Sequence, residues 1–356
     1  MKIQKIFQLI FAFPFTVLYG IGVAIHSYLY KWGVMKSVRF DLPIITVGNL
    51  SVGGTGKTPH VEYLIQLLRP YMNVATLSRG YKRKTKGYIA VAPATNAELV
   101  GDEPLQFKRK FRDVFVAVAE SRTMAVSQIM MDAPTTQVIL LDDGYQHRAL
   151  KTSHSILLTA FDDPFFKDYL LPGGTLREWR VGKERADIII VTKCPVDLSE
   201  ADRNAFLEKI KPLPHQQVFF SYYKYGLPYA FLNPEIGVNL DETLDAILIS
   251  GLASSDYLVK HLDKTVNFAR ILDFPDHHFF KEADLINLKK QYDELKATQK
   301  VILTTEKDAV RLELHRDYII ENQLPIFVLP IQVDFLFGEK AVFDETMKEF
   351  LLNFKT

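Results

Sequence analysis

From about Asp41 to Gln217, short apolar runs alternate with stretches whose apolar residues fall at helical spacing. Ile44–Val47, Val74–Leu77, Val114–Val118, Val138–Leu141, Ile156–Thr159 and Ile188–Val191 read as strands, apolar throughout as strands buried on both faces are. Behind the first, Val61, Leu64, Ile65 and Leu68 mark one face of a helix over about Gly56 to Leu68. The alternation predicts an α/β fold with a doubly wound, mostly parallel sheet. A stretch rich in Pro, Gly and Tyr follows at Pro212–Tyr229, and beyond it "DAILISGLASSDYLVKHL", "KVILTTEKDAVRL" and "PIFVLPIQV" read as a smaller α/β part. The expected division is an apolar N-terminal segment, 1–38, a larger domain, 39–217, and a smaller C-terminal domain, 218–356.

The N-terminal pattern differs. Residues 6–30 contain no Asp, Glu, Lys or Arg, and the first acidic residue is Asp41. Such a run exceeds the roughly 20 residues a helix needs to cross a bilayer. Lys2, Lys5, Lys31, Lys36 and Arg39 flank it, and Tyr28, Tyr30 and Trp32 suit a membrane interface. A cleaved signal peptide has a shorter apolar core and a small-residue cleavage site, and neither is clear here. A buried core helix stays open. The pattern fits a membrane anchor best, spanning or lying in one leaflet, with Pro14 tolerated inside it. The basic residues after the run agree with the rest of the chain facing the cytoplasm.

Composition narrows the picture. The chain has 356 residues, which suits two domains, and a formal net charge of +1, which gives no push toward nucleic acid. The single cysteine, Cys194, rules out an internal disulfide framework.

In a doubly wound sheet, chemistry sits beyond the carboxyl ends of the strands. "SVGGTGKT" follows the first strand and matches the phosphate-loop pattern at Gly56, Lys57 and Thr58, with Ser51 where that pattern has Gly. Backbone N–H groups along Ser51, Val52, Gly53, Gly54, Thr55 and Gly56 can face phosphate oxygens; Lys57 adds a cation, and the Thr58 hydroxyl can ligate Mg²⁺. The bland reading is a Gly-rich turn with a chance Lys-Thr. "VILLDDGYQH" ends a strand in Asp142 and Asp143, the shape of an element that holds Mg²⁺ beside the loop Thr. "GDEP" offers Asp102 and Glu103, either as a proton acceptor for a substrate hydroxyl or as a helix cap. "SRGYKRKTKG" carries Arg79 and a run of basic residues, "DDGYQHR" ends in Arg148, and "GGTLREW" supplies Arg177 and Glu178. "FPDHHFF" places His277 and His278 beside Asp276.

These segments, in this order, resemble the tetraacyldisaccharide 4'-kinases of lipid A synthesis. The matching stretches are "VGNLSVGGTGKTP", "SRGY", "GDEP", "DDGYQH", the Leu-Arg-Glu of "LREW", "VTK", "FPDHH" and "TTEKDAVR". Ser at the first loop position is typical of that family. The resemblance implies a membrane-associated kinase using ATP and Mg²⁺, acting on a lipid-linked disaccharide, tetraacyldisaccharide 1-phosphate. Carried over, Lys57 and Thr58 bind phosphates and Mg²⁺, and Asp142 is the metal-side carboxylate with Asp143 beside it. Asp102 is the proposed base, with His277 rather than His278 as its partner. Glu103 helps the metal shell, and Arg79, Arg148 and Arg177 meet anionic groups. On the residues alone, a GTPase, an ATP-dependent synthetase and a membrane-bound nucleotide switch remain open, although Pro195 in "VTKCP" replaces the Asp that guanine reading needs.

Overall fold

The computed structural model describes residues 2–355, with side chains from residue 12 onward, so the basic flank at Lys2 and Lys5 lies outside the described side chains. In chain order the elements are α1 (Lys2–Lys31), β1 (Ile44–Asn49), α2 (Lys57–Leu68), β2 (Val74–Ser78), β3 (Ile89–Ala90), α3 (Ala97–Val100), α4 (Asp102–Lys110), β4 (Phe115–Val118), α5 (Arg122–Asp132), β5 (Val138–Asp142), β6 (His154–Ala160), β7 (Ile188–Thr192), α6 (Glu200–Ile210) and β8 (Gln217–Tyr225). There follow β9 (Tyr229–Ala230), β10 (Asp245–Ser250), α7 (Asp256–Leu262), β11 (Asn267–Asp273), α8 (Glu282–Asp293), β12 (Lys300–Thr305), α9 (Glu306–Leu312), α10 (Arg316–Glu321), β13 (Ile326–Leu329), β14 (Ile331–Phe335) and α11 (Lys340–Leu352). Every strand expected before residue 217 is present, lengthened or trimmed by a residue or two at its ends.

By contact, the chain divides into two compact units. One holds the chain up to Arg79, Val114–Tyr223 and the chain from Val333; the other holds Gly80–Asp113 and Lys224–Gln332. Where the sequence pattern suggests cuts after residues 38 and 217, this division keeps the N-terminal helix in the first unit and is discontinuous.

In the first unit the strand order is β14-β8-β7-β6-β1-β5-β2-β4. The pairs from β8 to β4 are all parallel. The chain winds to both sides of β1, which lies between β5 and β6. This is the doubly wound, mostly parallel arrangement, and it sets the carboxyl end of β1 at the switch in winding direction. β1, β2, β5 and β7 are buried along their whole length, which is why their sequences do not alternate.

The second unit has a five-stranded sheet, β11-β10-β12-β13-β9, parallel except for the β13–β9 pair. Its strands feed two cores by alternation: Ile247, Ile249 and Ile302 on one face, Ala246, Leu248, Val301 and Leu303 on the other.

Helix α1 runs through Pro14 without a break. Only 6 % of its apolar stretch Ala12–Lys31 is buried, so it is not a core helix. Phe13, Phe15, Leu18, Ile21 and Ile25 are exposed on it.

Candidate functional site

Within the first unit, the loop from Leu50 to Gly56 leaves the buried end of β1 and turns into α2. The turn needs glycine: Gly56 caps α2 at φ 85°, and Gly53 sits at φ 126°. A Cβ on Gly56 would fall 2.0 Å from the Tyr223 hydroxyl, whereas one on Gly53 would meet nothing within 4 Å, so the loop is packed on one side and open on the other. Its start is pinned to a distant segment, with Val52 N donating to Thr175 O at 2.7 Å and Arg177 N to Leu50 O at 2.7 Å. The Thr192 hydroxyl, from the "VTK" segment at the end of β7, donates to Thr55 O at 2.8 Å.

Lys57, the first residue of α2, holds its Nζ 3.5 Å from Asn49 Oδ1 and 3.7 Å from Asp143 Oδ1. Asp142 ends β5 opposite Val47 of β1, and its side chain is buried. Asp143 follows in the left-handed region and receives Arg177 Nη1 on both oxygens, each at 3.0 Å. Burial alone would raise the Asp143 pKa; Lys57, then Arg177, outweigh it and hold the carboxyl below its usual range.

Arg122, at the start of α5, is buried there too. Its pKa is lowered by burial and then by the charge of Arg79, while Asp143 and Asp142 oppose the shift. His147 is likewise pushed down, by burial and then by Arg122 and Arg79. Lys57, Arg177 and Arg122 therefore act on one acidic pair, with Arg79 close enough to act on Arg122. Such a set suits a polyanion that brings a divalent cation with it.

Two candidates lie elsewhere in this unit. The Arg148 guanidinium donates to Ser27 O of α1 at 3.1 Å. Glu178 is buried and taken up by Arg185, 2.8 Å away, and by Gln146, which donates to it at 2.8 Å.

MgATP fits the residues present. The Thr55 hydroxyl oxygen is buried and makes no hydrogen bond among the described residues. Thr58 and Asp142 offer hard oxygen donors. No group of three His, Cys, Asp or Glu among the described residues makes a metal site by itself. Mg²⁺ is held by one or two protein oxygens together with substrate phosphates, and Thr58 and Asp142 supply oxygens of that kind.

The second unit holds the other constellation. Asp102 opens α4 after Gly101, which sits at φ 93°, and is buried. His277 Nδ1 lies 2.8 Å from Asp102 Oδ2 and 3.1 Å from Oδ1. Of the two adjacent histidines it is His277 that reaches Asp102; His278 Nε2 faces Asp284 at 2.8 Å. On its other side His277 Nε2 is 3.2 Å from Lys307 Nζ. His277 Nε2 also lies 3.5 Å from Asp276 Oδ2, so the ring faces a carboxylate through Nδ1 and both an ammonium and a carboxylate through Nε2. Lys307 also lies 3.3 Å from Glu103 and 3.4 Å from Asp276. Burial would lower its pKa, and the Glu103, Asp102 and Asp276 carboxylates raise it instead. Burial would raise Asp102; Lys307, His277 and Arg311 hold it far below the usual carboxylate range. The Tyr81 ring packs against His277 with centroids 4.7 Å apart.

Arg122 and Lys307 escape a reading by motif. A signal for Arg122 exists: it follows β4 directly, in "AVAESR", where the carboxyl end of a parallel strand is worth inspecting. Lys307 lies inside "TTEKDAVR", and nothing in its spacing reports where it points.

A glycine-bent loop with Lys and Thr, set at the end of a central parallel strand beside an acidic pair, defines a phosphate-loop nucleotide-binding protein. A family model described as tetraacyldisaccharide-1-P 4'-kinase matches residues 8–352. The chain is 42% identical over 342 residues to the tetraacyldisaccharide 4'-kinase of Bacteroides fragilis, covering 94% of this chain and 90% of that one. It is 43% identical over 339 residues to the enzyme of that name from Flavobacterium johnsoniae, covering 95% and 96%. The crystal structure of LpxK from Aquifex aeolicus in complex with ATP superposes with a TM-score of 0.70 at 26% identity, covering 95% of this chain and 98% of that one. The chain belongs to the tetraacyldisaccharide-1-P 4'-kinase family.

Proposed function

We propose that the chain transfers the γ-phosphate of ATP to the 4'-hydroxyl of tetraacyldisaccharide 1-phosphate in lipid A synthesis. The observation that carries this reading, in a chain of this family, is Lys57 and Thr58 presented at the end of β1 beside Asp142 and Asp143. In this reading the loop from Ser51 to Thr58 cradles the phosphates and Lys57 draws on the transferred group. Thr58 and Asp142 hold Mg²⁺, which when bound neutralises charge on phosphate oxygens. Arg177, Arg79 and Arg122 add positive charge where the anion sits. Glu103 is left to orient Lys307.

Asp102 and His277 act as one unit that takes the acceptor hydroxyl's proton. Phosphoryl transfer passes through a loose transition state in which positioning of the hydroxyl outweighs the strength of the base. The acceptor is a lipid, and the exposed apolar face of α1 supports a protein that works at a membrane surface, which we assign to the cytoplasmic face of the inner membrane.

The test is phosphate transfer from labelled ATP to purified tetraacyldisaccharide 1-phosphate in detergent, with Lys57→Ala and Asp102→Ala beside the wild type. Transfer by the wild type that is lost in both variants supports the reading. A folded, ATP-binding wild type that makes no lipid product overturns it.

A further inference from the structure

Among the described residues Arg311 is the largest fully buried side chain, and its guanidinium makes three polar contacts within the second unit. Nη1 donates to Asp102 Oδ2 at 2.9 Å; Nη2 donates to Gly251 O at 3.0 Å and pairs with Asp308. The Gly251 carbonyl has a second visitor: the backbone N of His277 donates to it at 3.2 Å. One planar fork thus holds both the Asp102 carboxylate and the carbonyl that fixes the His277 backbone. His277 needs fixing, because it sits at φ 57°, a conformation uncommon for a residue with a side chain.

Asp308 keeps the fork in place. Its Oδ1 accepts from Gly251 N at 3.0 Å, its Oδ2 from the Thr305 hydroxyl at 2.6 Å, and its own N donates back to Thr305 at 3.1 Å. The chain ends at β10, β12 and α9 are knotted together through these bonds, and the product of the knot is a guanidinium aimed at Asp102.

Burying a guanidinium between two carboxylates is a poor way to stabilise a core. The desolvation of three charges offsets most of their attraction, and apolar residues of the same volume do as well or better. What such a network supplies is geometry. We infer that Arg311 is a positioning residue: it sets Asp102 and His277 at their 2.8 Å separation and orientation, and so governs the rate of the transfer step without touching nucleotide or lipid. The inference rests on the kinase reading above. Lysine cannot replace it, since an ammonium lacks the planar fork that reaches Asp102 and Gly251 O together.

The experiment is steady-state kinetics of Arg311→Lys, Arg311→Ala and Gly251→Ala in detergent, with folding followed by circular dichroism. Gly251→Ala leaves every charge in place, but its Cβ would stand 3.1 Å from Arg311 Nη2 and press on the fork. A misplacement on the order of 1 Å costs about 10²-fold. Arg311→Lys is therefore expected to fold and to lose about 10²-fold in kcat with KM for ATP unchanged, Gly251→Ala to lose kcat in the same way but less, and guanidinium ion to restore part of the rate of Arg311→Ala. Wild-type kcat in Arg311→Lys overturns the inference while leaving the kinase reading intact. So does a loss that only tracks the folded fraction, or failure of both Arg311→Lys and Gly251→Ala to fold, since Arg311 would then be a structural residue. Failure of the wild type to transfer phosphate counts against the kinase reading instead.

Discussion

The indole nitrogen of Trp179 donates to the carbonyl of Gly20 at 2.8 Å, and the ring lies so close that a Cβ on Gly20 would fall 2.6 Å from it. Trp179 ends the segment that pins the phosphate loop, and that segment makes two further bonds to α1. The Thr16 hydroxyl accepts from Gly173 N at 2.9 Å, and the Tyr19 hydroxyl donates to Arg177 O at 2.7 Å. The apolar helix and the loop are thus held by one stretch of chain, residues 173–179.

A side chain at Gly20 forces the indole out of its seat. Gly20→Val is expected to destabilise the first unit by roughly 1–3 kcal/mol, the usual cost of overpacking. A Cβ on Gly22 of the same helix would meet nothing within 4 Å, so Gly22→Ala should be neutral or slightly stabilising. Denaturant midpoints in detergent check both, and a Gly20→Val midpoint equal to that of Gly22→Ala would show that the seat contributes nothing.

Lys57 faces Asp143 in the structure and, in the proposed reaction, the transferred phosphate. Lys57→Ala should lower kcat by about 10²- to 10³-fold, the scale of losing one preorganised group on a developing anion. It also removes the largest attraction holding the Asp143 carboxyl down. Calorimetric titration with MgATP should show weakened binding, and unchanged affinity together with unchanged kcat would remove Lys57 from the site.

Asp102 and His277 share a hydrogen bond of 2.8 Å and should behave as one unit. Asp102→Asn and His277→Ala should each reduce kcat by about 10²- to 10⁴-fold while MgATP affinity stays at the wild-type level. The double variant should be no slower than the slower single one, because a unit can be broken only once. Single-turnover kinetics on the four proteins decides this: losses that multiply in the double variant would mean that the two residues act separately.

The parts legible in the sequence are those written in local pattern. Buried parallel strands show as apolar runs, and the loop shows because glycine, lysine and threonine must stand next to one another along the chain for the turn to work. Asp102 and His277 are visible as charged residues in loops, but no spacing joins two positions so far apart in the chain; only the resemblance to a family pairs them. Arg311 and Lys307 stay hidden because helix α9 reads as an ordinary charged helix, and only its packing turns Arg311 inward, with no exposed surface at all. The discontinuous second unit is hidden for the same reason: the segment Gly80–Asp113 carries no boundary signal at either end beyond a basic loop.

His60 offers a test that needs no substrate. It is buried one turn into α2, with Nδ1 donating to Gly56 O at 2.7 Å and Nε2 accepting from the Ser221 hydroxyl at 3.0 Å. Burial pushes its pKa down to about 4, against a smaller opposing effect of the Gly56 carbonyl. The unfolded chain takes up this proton near pH 6.5, while the folded chain resists it until about pH 4. The unfolded state therefore binds more protons between those values, and stability must fall as pH drops through that window, by roughly 3 kcal/mol in all. Above pH 6.5 the residue contributes no slope. His60→Gln has no proton to gain, so its stability should fall less steeply from pH 6.5 to 4, and the gap between the two proteins should close or reverse. The ring hangs on the carbonyl of Gly56, the glycine that turns the loop into α2, and stays neutral in the folded chain down to about pH 4, so its titration should leave the MgATP affinity of the wild type unchanged above that pH. Denaturant unfolding and MgATP titration at about pH 7.5, 5.5 and 4.5, one value above that window and two within it, give both curves. Identical slopes for wild type and His60→Gln would mean that some other group carries the acid sensitivity.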